Sequence, residues 1–382
     1  MKIVVAMDSF KGSLTAVQAC DVIAEAIRSV VPDVEVVTKP MADGGEGTAV
    51  ALMAAAGGQW IDRSVMGPLP EIKVQAGFVW FADNATAVVE MATASGLQLL
   101  RPEQRNPLKT TTYGTGQLVR AAFDYGADRI LLAVGGSATV DAGVGAAMAL
   151  GWRFLTKDRQ EITLGGGQLL RIERIVPPDH TLDVAACPER SRGVEVLCDV
   201  DNPLCGEHGA ARVYGPQKGA TPQMVEELDM GLAHLARLIK DQLGRDVADL
   251  PGAGAAGGLA AGAVDFMNAR LVSGIETVMS VNHLQEAMAG ADWVITGEGC
   301  FDEQSLRGKV VSGVARVAKA TNTKVGVLAG QVLLPVEKYR ATGIETAIPC
   351  MNDEMQLAYA IANSEVLLAR AARRFVCDYI RT

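Results

Sequence analysis

Short apolar runs alternate with amphipathic segments at the start of the chain. Residues 2–7 form an apolar run of the length of a buried strand, and residues 34–41 predict a second strand. Residues 15–30 between them carry apolar side chains at helical spacing. Residues 49–56 form a second helical segment that is rich in alanine and ends at a glycine pair. This order of strand, helix, strand and helix is typical of a doubly wound parallel sheet.

The pattern changes in the middle of the chain. Residues 72–81 and 86–93 alternate apolar with small or polar positions around a polar turn, which predicts a β-hairpin rather than a βα unit. After residue 291 the βα rhythm returns. Strands are predicted there at residues 293–296, 324–329 and 346–349, and helices at residues 310–320 and 354–379.

The two ends of the chain therefore share one pattern and the middle has another. We predict an α/β fold in which residues 1–60 and 288–382 form one discontinuous domain. Residues 61–287 are expected to form a second, mixed α/β domain that is inserted into the first.

The segment RILLAVGGSATVDAGVGAAMALG, residues 129–151, predicts a buried strand, a glycine-rich turn and a packed helix. Such a turn leaves free backbone N–H groups at the start of the helix, where the helix dipole favours an anion. An ordinary βα turn uses the same residue types for conformational reasons alone, so both interpretations stay open at this point. The polar and glycine positions of the turn are Gly135, Gly136, Ser137, Thr139 and Asp141.

Acidic residues flanked by glycine follow several other predicted strands. One such residue is usually a helix cap or an Asx turn, but five turns of this kind are hard to attribute to capping alone. Clustered carboxylates repel one another unless a cation offsets them, and Mg²⁺ prefers oxygen ligands. With nearby lysines and arginines, this set fits phosphoryl transfer, which depends on positioning and charge neutralisation. The acidic residues are Asp8, Asp43, Glu46, Asp141, Asp199, Glu298 and Asp302, and the basic ones are Lys11, Arg212, Lys218, Arg307 and Lys309.

Composition narrows the class of protein. A length of 382 residues exceeds the usual single domain, and 49% hydrophobic residues provide for large cores. The net charge of −9 argues against a nucleic-acid partner, and no apolar run is long enough to cross a membrane. Seven cysteines without a CxxC pair are typical of a reduced chain. We expect a cytoplasmic protein with neither a nucleic-acid nor a membrane partner.

Seven ordered blocks closely resemble the glycerate kinase family, and in particular the bacterial type-1 glycerate 2-kinases. The blocks are MDSFKGSLTA, PMADGGEGT, NPLKTTTYGTGQL, VGGSATVDAG, CDVDNPLCGEHGAA with YGPQKGAT, PGAGAAGG and ITGEGCFDEQSLRGKV. The resemblance covers essentially the whole chain. The sequence departs from the expected pattern at Val140, where asparagine is expected, and at Cys300, where a basic residue is expected after GEG.

The resemblance implies a fold and an activity. The discontinuous domain would be a flavodoxin-like or Rossmann-like parallel-sheet domain. The activity would be transfer of a phosphoryl group from ATP to D-glycerate with Mg²⁺, and the product 2-phosphoglycerate. The sequence does not determine the oligomeric state, for which a homodimer is one option.

We assign candidate roles on this basis and leave open which carboxylates bind metal and which one acts as the base. The catalytic candidates are Asp43, Asp199 and Lys11. The candidates for ATP and phosphate binding are Gly135, Gly136, Ser137, Thr139 and Lys218. The substrate candidates are Ser9, Glu46, Arg307 and Arg212, and the metal candidates are Asp302, Glu298 and Asp141.

Two other functions remain as alternatives. The GAGAAG run at residues 252–257 matches the GxGxxG pattern of a dinucleotide site, which would suit an NAD-dependent hydroxy-acid oxidoreductase. That motif requires a strand directly before it, and residues 244–250 form a poor, charged strand. A non-catalytic protein that binds sugar acids is the other alternative.

Overall fold

The computed structural model describes residues 1–179, 193–306, 308–352 and 354–380. The chain forms two compact units. Unit 1 consists of Met1–Asp43, Val50–Gly57 and Gly274–Thr382, and unit 2 of Gly44–Ala49 and Gly58–Ser273. Both ends of the chain thus belong to unit 1, while the domain boundaries at residues 60 and 288 stay a prediction.

The strands of the described residues are numbered in chain order. They are β1 (Lys2–Met7), β2 (Glu35–Thr38), β3 (Gln59–Met66), β4 (Lys73–Phe81), β5 (Thr86–Glu90), β6 (Arg129–Ala133), β7 (Arg153–Leu155), β8 (Arg174–Val176), β9 (Gly193–Leu197), β10 (Arg270–Val272), β11 (Trp293–Gly297), β12 (Cys300–Phe301), β13 (Lys324–Ala329), β14 (Gln331–Val332) and β15 (Ile344–Pro349).

The α-helices are numbered in the same way. They are α1 (Ala16–Val30), α2 (Thr48–Ala56), α3 (Ala92–Ser95), α4 (Tyr113–Tyr125), α5 (Val144–Ala149), α6 (Ala210–Tyr214), α7 (Pro222–Leu243), α8 (Leu259–Phe266), α9 (Gly274–Val281), α10 (Leu284–Met288), α11 (Val310–Thr321), α12 (Val336–Arg340), α13 (Leu357–Ala362) and α14 (Ser364–Tyr379).

Unit 1 is built on a parallel sheet with the strand order β2-β1-β11-β13-β15. Along the chain, β1 is the first strand of this sheet, β2 the second, and β11, β13 and β15 the third to fifth. The sheet therefore has the strand order 2-1-3-4-5, which is that of a flavodoxin-like fold. Strands β1 and β11 pair directly, with Ile3 opposite Trp293. The predicted α/β fold class is confirmed.

The core of unit 1 forms where α1 and α14 cover the sheet. Helix α1 begins at a capping box, in which the Thr15 hydroxyl accepts a hydrogen bond from the Gln18 N–H and the Gln18 side chain accepts one from the Thr15 N–H. Ile23 and Ile27 on α1 are fully buried in the same core cluster as Phe375 of α14. The helical spacing seen in the sequence therefore selects the buried face.

Unit 2 contains a mixed sheet with the order β10-β9-β6-β5-β4-β3. Strands β5, β6, β9 and β10 run parallel, whereas β4 pairs antiparallel with β5 and with β3. The predicted hairpin of β4 and β5 is confirmed. Strand β3 was not predicted, because polar side chains interrupt its apolar positions, as is common at the edge of a sheet.

The C-terminal segment differs from the sequence-based expectation. The prediction of a single helix over residues 354–379 is wrong, because the structure has two helices, α13 and α14, with a break at Asn363. The backbone of Asn363 has φ −118° and ψ 21°, and its side-chain amide donates to the carbonyl of Tyr359 at 2.8 Å. Asparagine competes in this way with the helical hydrogen bonds of its own turn.

Candidate active site

Unit 1 contains a pocket of about 390 Å³ at the carboxyl ends of its strands. Asp8 follows β1 and Glu298 follows β11, so the two side chains leave neighbouring strands at the same edge of the sheet. The structure therefore brings together residues that lie far apart in the sequence. The lining includes the expected site residues Ser9, Lys11, Asp43, Glu298 and Asp302, and also Asp8 and Lys309.

Asp8 has a perturbed carboxyl group. Burial raises its pKa to about 7, and the neighbouring charge of Asp43 raises it further, against a hydrogen bond from the Ser9 N–H. That N–H donates to Asp8 Oδ1 at 2.6 Å. Near neutral pH, Asp8 thus changes between a proton donor and a proton acceptor.

Glu298 is the second buried carboxylate of the pocket. Burial raises its pKa, whereas a hydrogen bond from the Ser305 side chain and the charge of Lys309 oppose that effect. Lys309 Nζ lies 3.9 Å from Glu298 Oε2. Its Oε1 is buried and has no hydrogen-bond partner among the described residues. A buried oxygen without a donor fits a place where a cation or a ligand N–H or O–H binds.

Asp302 has a local structural role as well as a place in the pocket. Its Oδ1 accepts hydrogen bonds from the N–H groups of Gln304 and Ser305, at 2.8 and 3.3 Å, and so begins the short helical turn that follows. The expected substrate residue Arg307 lies outside the described residues.

The glycine turn of unit 2, residues 135–141, follows β6 as predicted. A Cβ at Gly135 would lie 2.4 Å from Gly45 Cα, so the close approach of two backbone segments requires glycine here. Gly136 has φ +75°, which also favours glycine. Gly136 is exposed and Gly135 half-buried, whereas Ser137 and Thr139 are buried, so a ligand at this surface would meet backbone rather than hydroxyl groups.

Lys218 is buried beneath this turn. Its Nζ donates to Ser137 Oγ and to the carbonyl of Thr139, both at 2.7 Å. Burial lowers its pKa to about 7, and the charge of Asp141 acts in the opposite direction. Two of its three donors are therefore used to hold the turn.

Asp141 is also fully engaged. Its Oδ2 accepts hydrogen bonds from the Thr112 N–H and hydroxyl at 2.8 and 2.9 Å and from the Gly145 N–H at 3.3 Å. Its Oδ1 accepts from the Gly143 N–H at 3.2 Å. Burial raises the pKa of Asp141, and these donors oppose that effect. The arrangement favours a role in organising the turn over the expected role in binding metal.

The second glycine run, residues 252–258, packs against the same turn. A Cβ at Gly257 would lie 1.9 Å from the Thr139 carbonyl oxygen, and the Ala142 N–H donates to the Gly257 carbonyl at 3.0 Å. Residues 244–250 contain no strand. The GxGxxG pattern therefore lacks the strand that a dinucleotide site requires, and close packing accounts for its glycines.

Two further candidates of unit 2 lie near the carboxyl edge of its sheet. Asp199 follows β9, which neighbours β6, and its Oδ1 accepts a hydrogen bond from Ser273 Oγ at 2.8 Å. Glu46 is exposed, and its Cβ lies 4.0 Å from a Cβ built on Gly136. Both carboxylates therefore stay candidates on geometric grounds.

Arg212 has acidic partners of its own. Its two terminal nitrogens donate to the two oxygens of Glu226, each at 2.7 Å, and its Nε donates to Asp229 at 3.2 Å. This bidentate pair links α6 to α7. The geometry favours a structural role for Arg212 rather than recognition of a substrate carboxylate.

Sequence reasoning assigned no role to Asp8 and did not identify the apolar side of the pocket. The position of Asp8, directly after the first strand, was a usable signal. Leu357 and Ile361 line the pocket from α13, and their sequence pattern resembles that of any amphipathic helix. Only the packing of α13 shows that these side chains face a pocket.

Two classes of feature are absent from the part of the chain that the structure describes. No group of three or more histidine, cysteine, aspartate or glutamate side chains is arranged to hold a metal ion by itself. No helix in the same residues is long and apolar enough to cross a bilayer.

Comparisons with known proteins agree with this fold. The model of the glycerate kinase family matches residues 3–379. The chain is 45% identical to a glycerate kinase of Halalkalibacterium halodurans, over 97% of this chain and 96% of that protein. It is 42% identical to the glycerate 2-kinase of Escherichia coli, over 98% of this chain and 96% of that protein.

A solved structure is similar as well. A crystal structure described as glycerate kinase 2 from Salmonella typhimurium LT2 matches with a TM-score of 0.83 and 41% identity, over 99% of this chain and 97% of that chain. The α/β fold and these matches define a kinase. The chain belongs to the glycerate kinase family.

Proposed function

We propose that this protein transfers the γ-phosphoryl group of ATP to D-glycerate and forms 2-phosphoglycerate. The observation that carries the proposal is the pocket of unit 1, where four carboxylates and two lysines line one cavity in a member of the glycerate kinase family. Phosphoryl transfer needs charge neutralisation and positioning more than covalent catalysis, and this set of side chains provides both.

The residues of the pocket fit a magnesium ion. Mg²⁺ is usually bound through one or two carboxylates together with substrate phosphates and water, so a complete protein cage is not required. Glu298 has a buried oxygen without a partner among the described residues, and Asp302 and Asp43 line the same pocket. We assign Glu298 and Asp302 as the ligands. When bound, the ion would neutralise charge on the transferred phosphoryl group.

The remaining side chains have separate roles in the proposal. Lys11 and Lys309 bind phosphate oxygens, because an ammonium group is a compact, mobile cation. Asp43 accepts the proton of the glycerate hydroxyl, with Asp199 as the alternative base, and Ser9 and Glu46 contact the substrate. In unit 2, the backbone N–H groups of Gly135 and Gly136 are proposed to contact phosphate.

Arg307 is the proposed partner of the glycerate carboxylate, since a guanidinium group binds a carboxylate through two parallel hydrogen bonds. We also propose a cytoplasmic location. Six cysteines of the described residues, Cys20, Cys198, Cys205, Cys300, Cys350 and Cys377, are free, as is usual in a reducing compartment.

Product analysis tests the function directly. Purified protein is incubated with ATP, Mg²⁺ and D-glycerate, ADP release is followed in a coupled assay, and the product is identified by ³¹P and ¹H NMR. We expect ADP only when all three components are present, and a phosphate on the 2-hydroxyl. Turnover with another hydroxy acid but not with D-glycerate would contradict the substrate assignment, and phosphate on the 3-hydroxyl would contradict the product.

Two further assays test the alternatives. Oxidation of NADH with hydroxypyruvate would indicate an oxidoreductase. Binding of D-glycerate without release of ADP would indicate a non-catalytic sugar-acid-binding protein.

A further inference from the structure

The pocket of unit 1 lies at a defined place in the sheet. Strand β2 pairs with β1 on one side, and β11, which is the next strand of this sheet along the chain, pairs with β1 on the other side. The order of strands therefore reverses between β1 and β11. Open parallel sheets bind their ligands beyond the carboxyl ends of the strands at this switch point. Asp8 and Glu298 follow these two strands and line the pocket, so the pocket occupies that position.

The lining of the pocket has two chemically different sides. The strand ends supply charged groups, among them Asp8, Asp43 and Lys11. The C-terminal helices supply apolar groups, and these include Leu357 and Ile361. Leu357 is 62% exposed and Ile361 41% exposed, although both border a concave surface. Exposed apolar side chains that line a pocket indicate that an apolar part of a ligand covers them.

The size of the pocket also exceeds the needs of a three-carbon acid. Its volume of about 390 Å³ falls in the range of about 300–1,000 Å³ that is typical of pockets for drug-sized ligands and cofactors. D-Glycerate carries hydroxyl and carboxylate groups on all three carbons and has no surface to place against leucine and isoleucine. A ligand with a flat, apolar ring at one end and charge at the other end fits both sides.

The charge of the pocket leads to the same class of ligand. Four carboxylates, from Asp8, Asp43, Glu298 and Asp302, face two ammonium groups, from Lys11 and Lys309. Phosphate groups that arrive without a cation would be repelled by this excess of negative charge. A nucleotide that arrives with its own divalent cation would not.

We propose that the apolar side of this pocket, formed by α13 together with Met351, binds the purine base of the nucleotide. Leu357, Ala360 and Ile361 would contact the faces of the ring, and the charged side would receive the phosphates and their cation. This inference deepens the proposed function, since it names the part of the chain that recognises the phosphoryl donor.

Filling the apolar side tests the proposal. Ala360 lines the pocket and is 7% exposed, so Ala360→Phe would occupy the space of the base. We expect the Kd of Mg·ADP, measured by isothermal titration calorimetry without D-glycerate, to rise at least ~10-fold. The Kd of Mg-bound inorganic tripolyphosphate, which has no base, should change less than ~2-fold. The KM for D-glycerate should also stay within ~2-fold.

A matched control and a second variant keep the result interpretable. Ala362 is exposed on the same helix and does not line the pocket, so Ala362→Phe should leave the binding of Mg·ADP unchanged. Leu357→Ser alters an exposed residue and should not affect folding. It removes apolar contact with the base, so we expect a rise of about 3-fold or more in the Kd of Mg·ADP.

Three outcomes would overturn the inference. The first is that the Ala360→Phe and Leu357→Ser variants bind Mg·ADP as tightly as the wild type does. The second is that both variants lose affinity for tripolyphosphate to the same extent as for Mg·ADP. The third is that the KM for D-glycerate rises while the Kd of Mg·ADP does not. Failure of the proposed function is a separate result. In that case the wild type binds Mg·ADP, and loses it in the Ala360→Phe variant, but does not phosphorylate D-glycerate.

Discussion

Lys218 Nζ lies 2.7 Å from the carbonyl oxygen of Thr139, and the lysine side chain is only 2% exposed. The same nitrogen donates to Ser137 Oγ at 2.7 Å. A buried ammonium group is costly unless it is hydrogen-bonded, so these contacts make the conformation of the glycine turn and the burial of Lys218 depend on each other.

Replacement of Lys218 by methionine should destabilise the protein by about 1–3 kcal/mol, because the buried acceptors lose their donor. The pH dependence has a definite sign. The pKa of Lys218 is about 7 in the folded protein against an ordinary 10.5, so between these values the unfolded chain binds more protons. The unfolding free energy of the wild type therefore rises as the pH increases from about 7 to about 10.5. The Lys218→Met variant has no such increase, because it lacks the titrating group.

Urea unfolding at about pH 7 and about pH 9 measures this effect. The difference in unfolding free energy between wild type and Lys218→Met should be larger at the higher pH. Lys319→Met, at an exposed lysine, serves as the control and should show no such increase. A difference that shrinks with rising pH would mean that Lys218 is not buried in this environment.

Replacement of Gly135 by alanine should disrupt the turn. The new Cβ would lie 2.4 Å from Gly45 Cα, and backbone atoms cannot yield to it without a shift of the whole segment. We expect kcat/KM to fall at least ~10-fold and the melting temperature to fall by a few degrees. Gly193→Ala is the matched control, because a Cβ there has no atom within 4 Å. Equal activity of the two variants would show that the turn is tolerant and not part of the site.

Replacement of Asp43 by asparagine keeps the side-chain volume and removes the charge. If Asp43 is the base or binds the metal, kcat should fall by at least ~10²-fold. The melting temperature should change little, since Asp43 is only half-buried and lies outside the apolar core. Steady-state kinetics and calorimetry of the same preparation measure both, with Asp33→Asn, at an exposed site, as the control. A near-normal kcat would show that Asp43 is not the catalytic carboxylate, and Asp199 or Asp302 would then be tested for that role.

Asp8 should make stability depend on pH in the opposite direction to Lys218. Its pKa is raised from 3.8 to about 7, by burial first and by Asp43 second, so the folded state binds more protons between these values. The stability contributed by the protonated group is therefore lost as pH rises through about 7. Asp8→Asn has no such loss.

Without added metal, Asp8→Asn should consequently melt at a higher temperature than the wild type at about pH 8, with a smaller difference at about pH 5. Differential scanning calorimetry at the two values measures this. A variant that is less stable than the wild type at the higher pH would show that the Asp8 carboxylate is stabilised, and not strained, by its surroundings.

Several features of this protein follow from the sequence by itself. The apolar periodicity predicted the parallel strands of unit 1, the helix α1 and the hairpin of β4 and β5, because these patterns repeat within a few residues. Glycine-rich and acidic segments identified the turns at the ends of the strands. The ordered sequence blocks identified the family.

The tertiary structure decided which of these groups act together. Asp8 and Glu298 share a pocket because β1 and β11 are neighbours, and pairing between distant strands depends on the packing of the whole unit rather than on local pattern. The hydrogen-bond partners of Asp141 and Lys218 favour a role in supporting the turn over the expected roles in binding metal and phosphate. A local sequence pattern specifies which side chains a segment offers, whereas burial and long-range contacts specify what each side chain can bind.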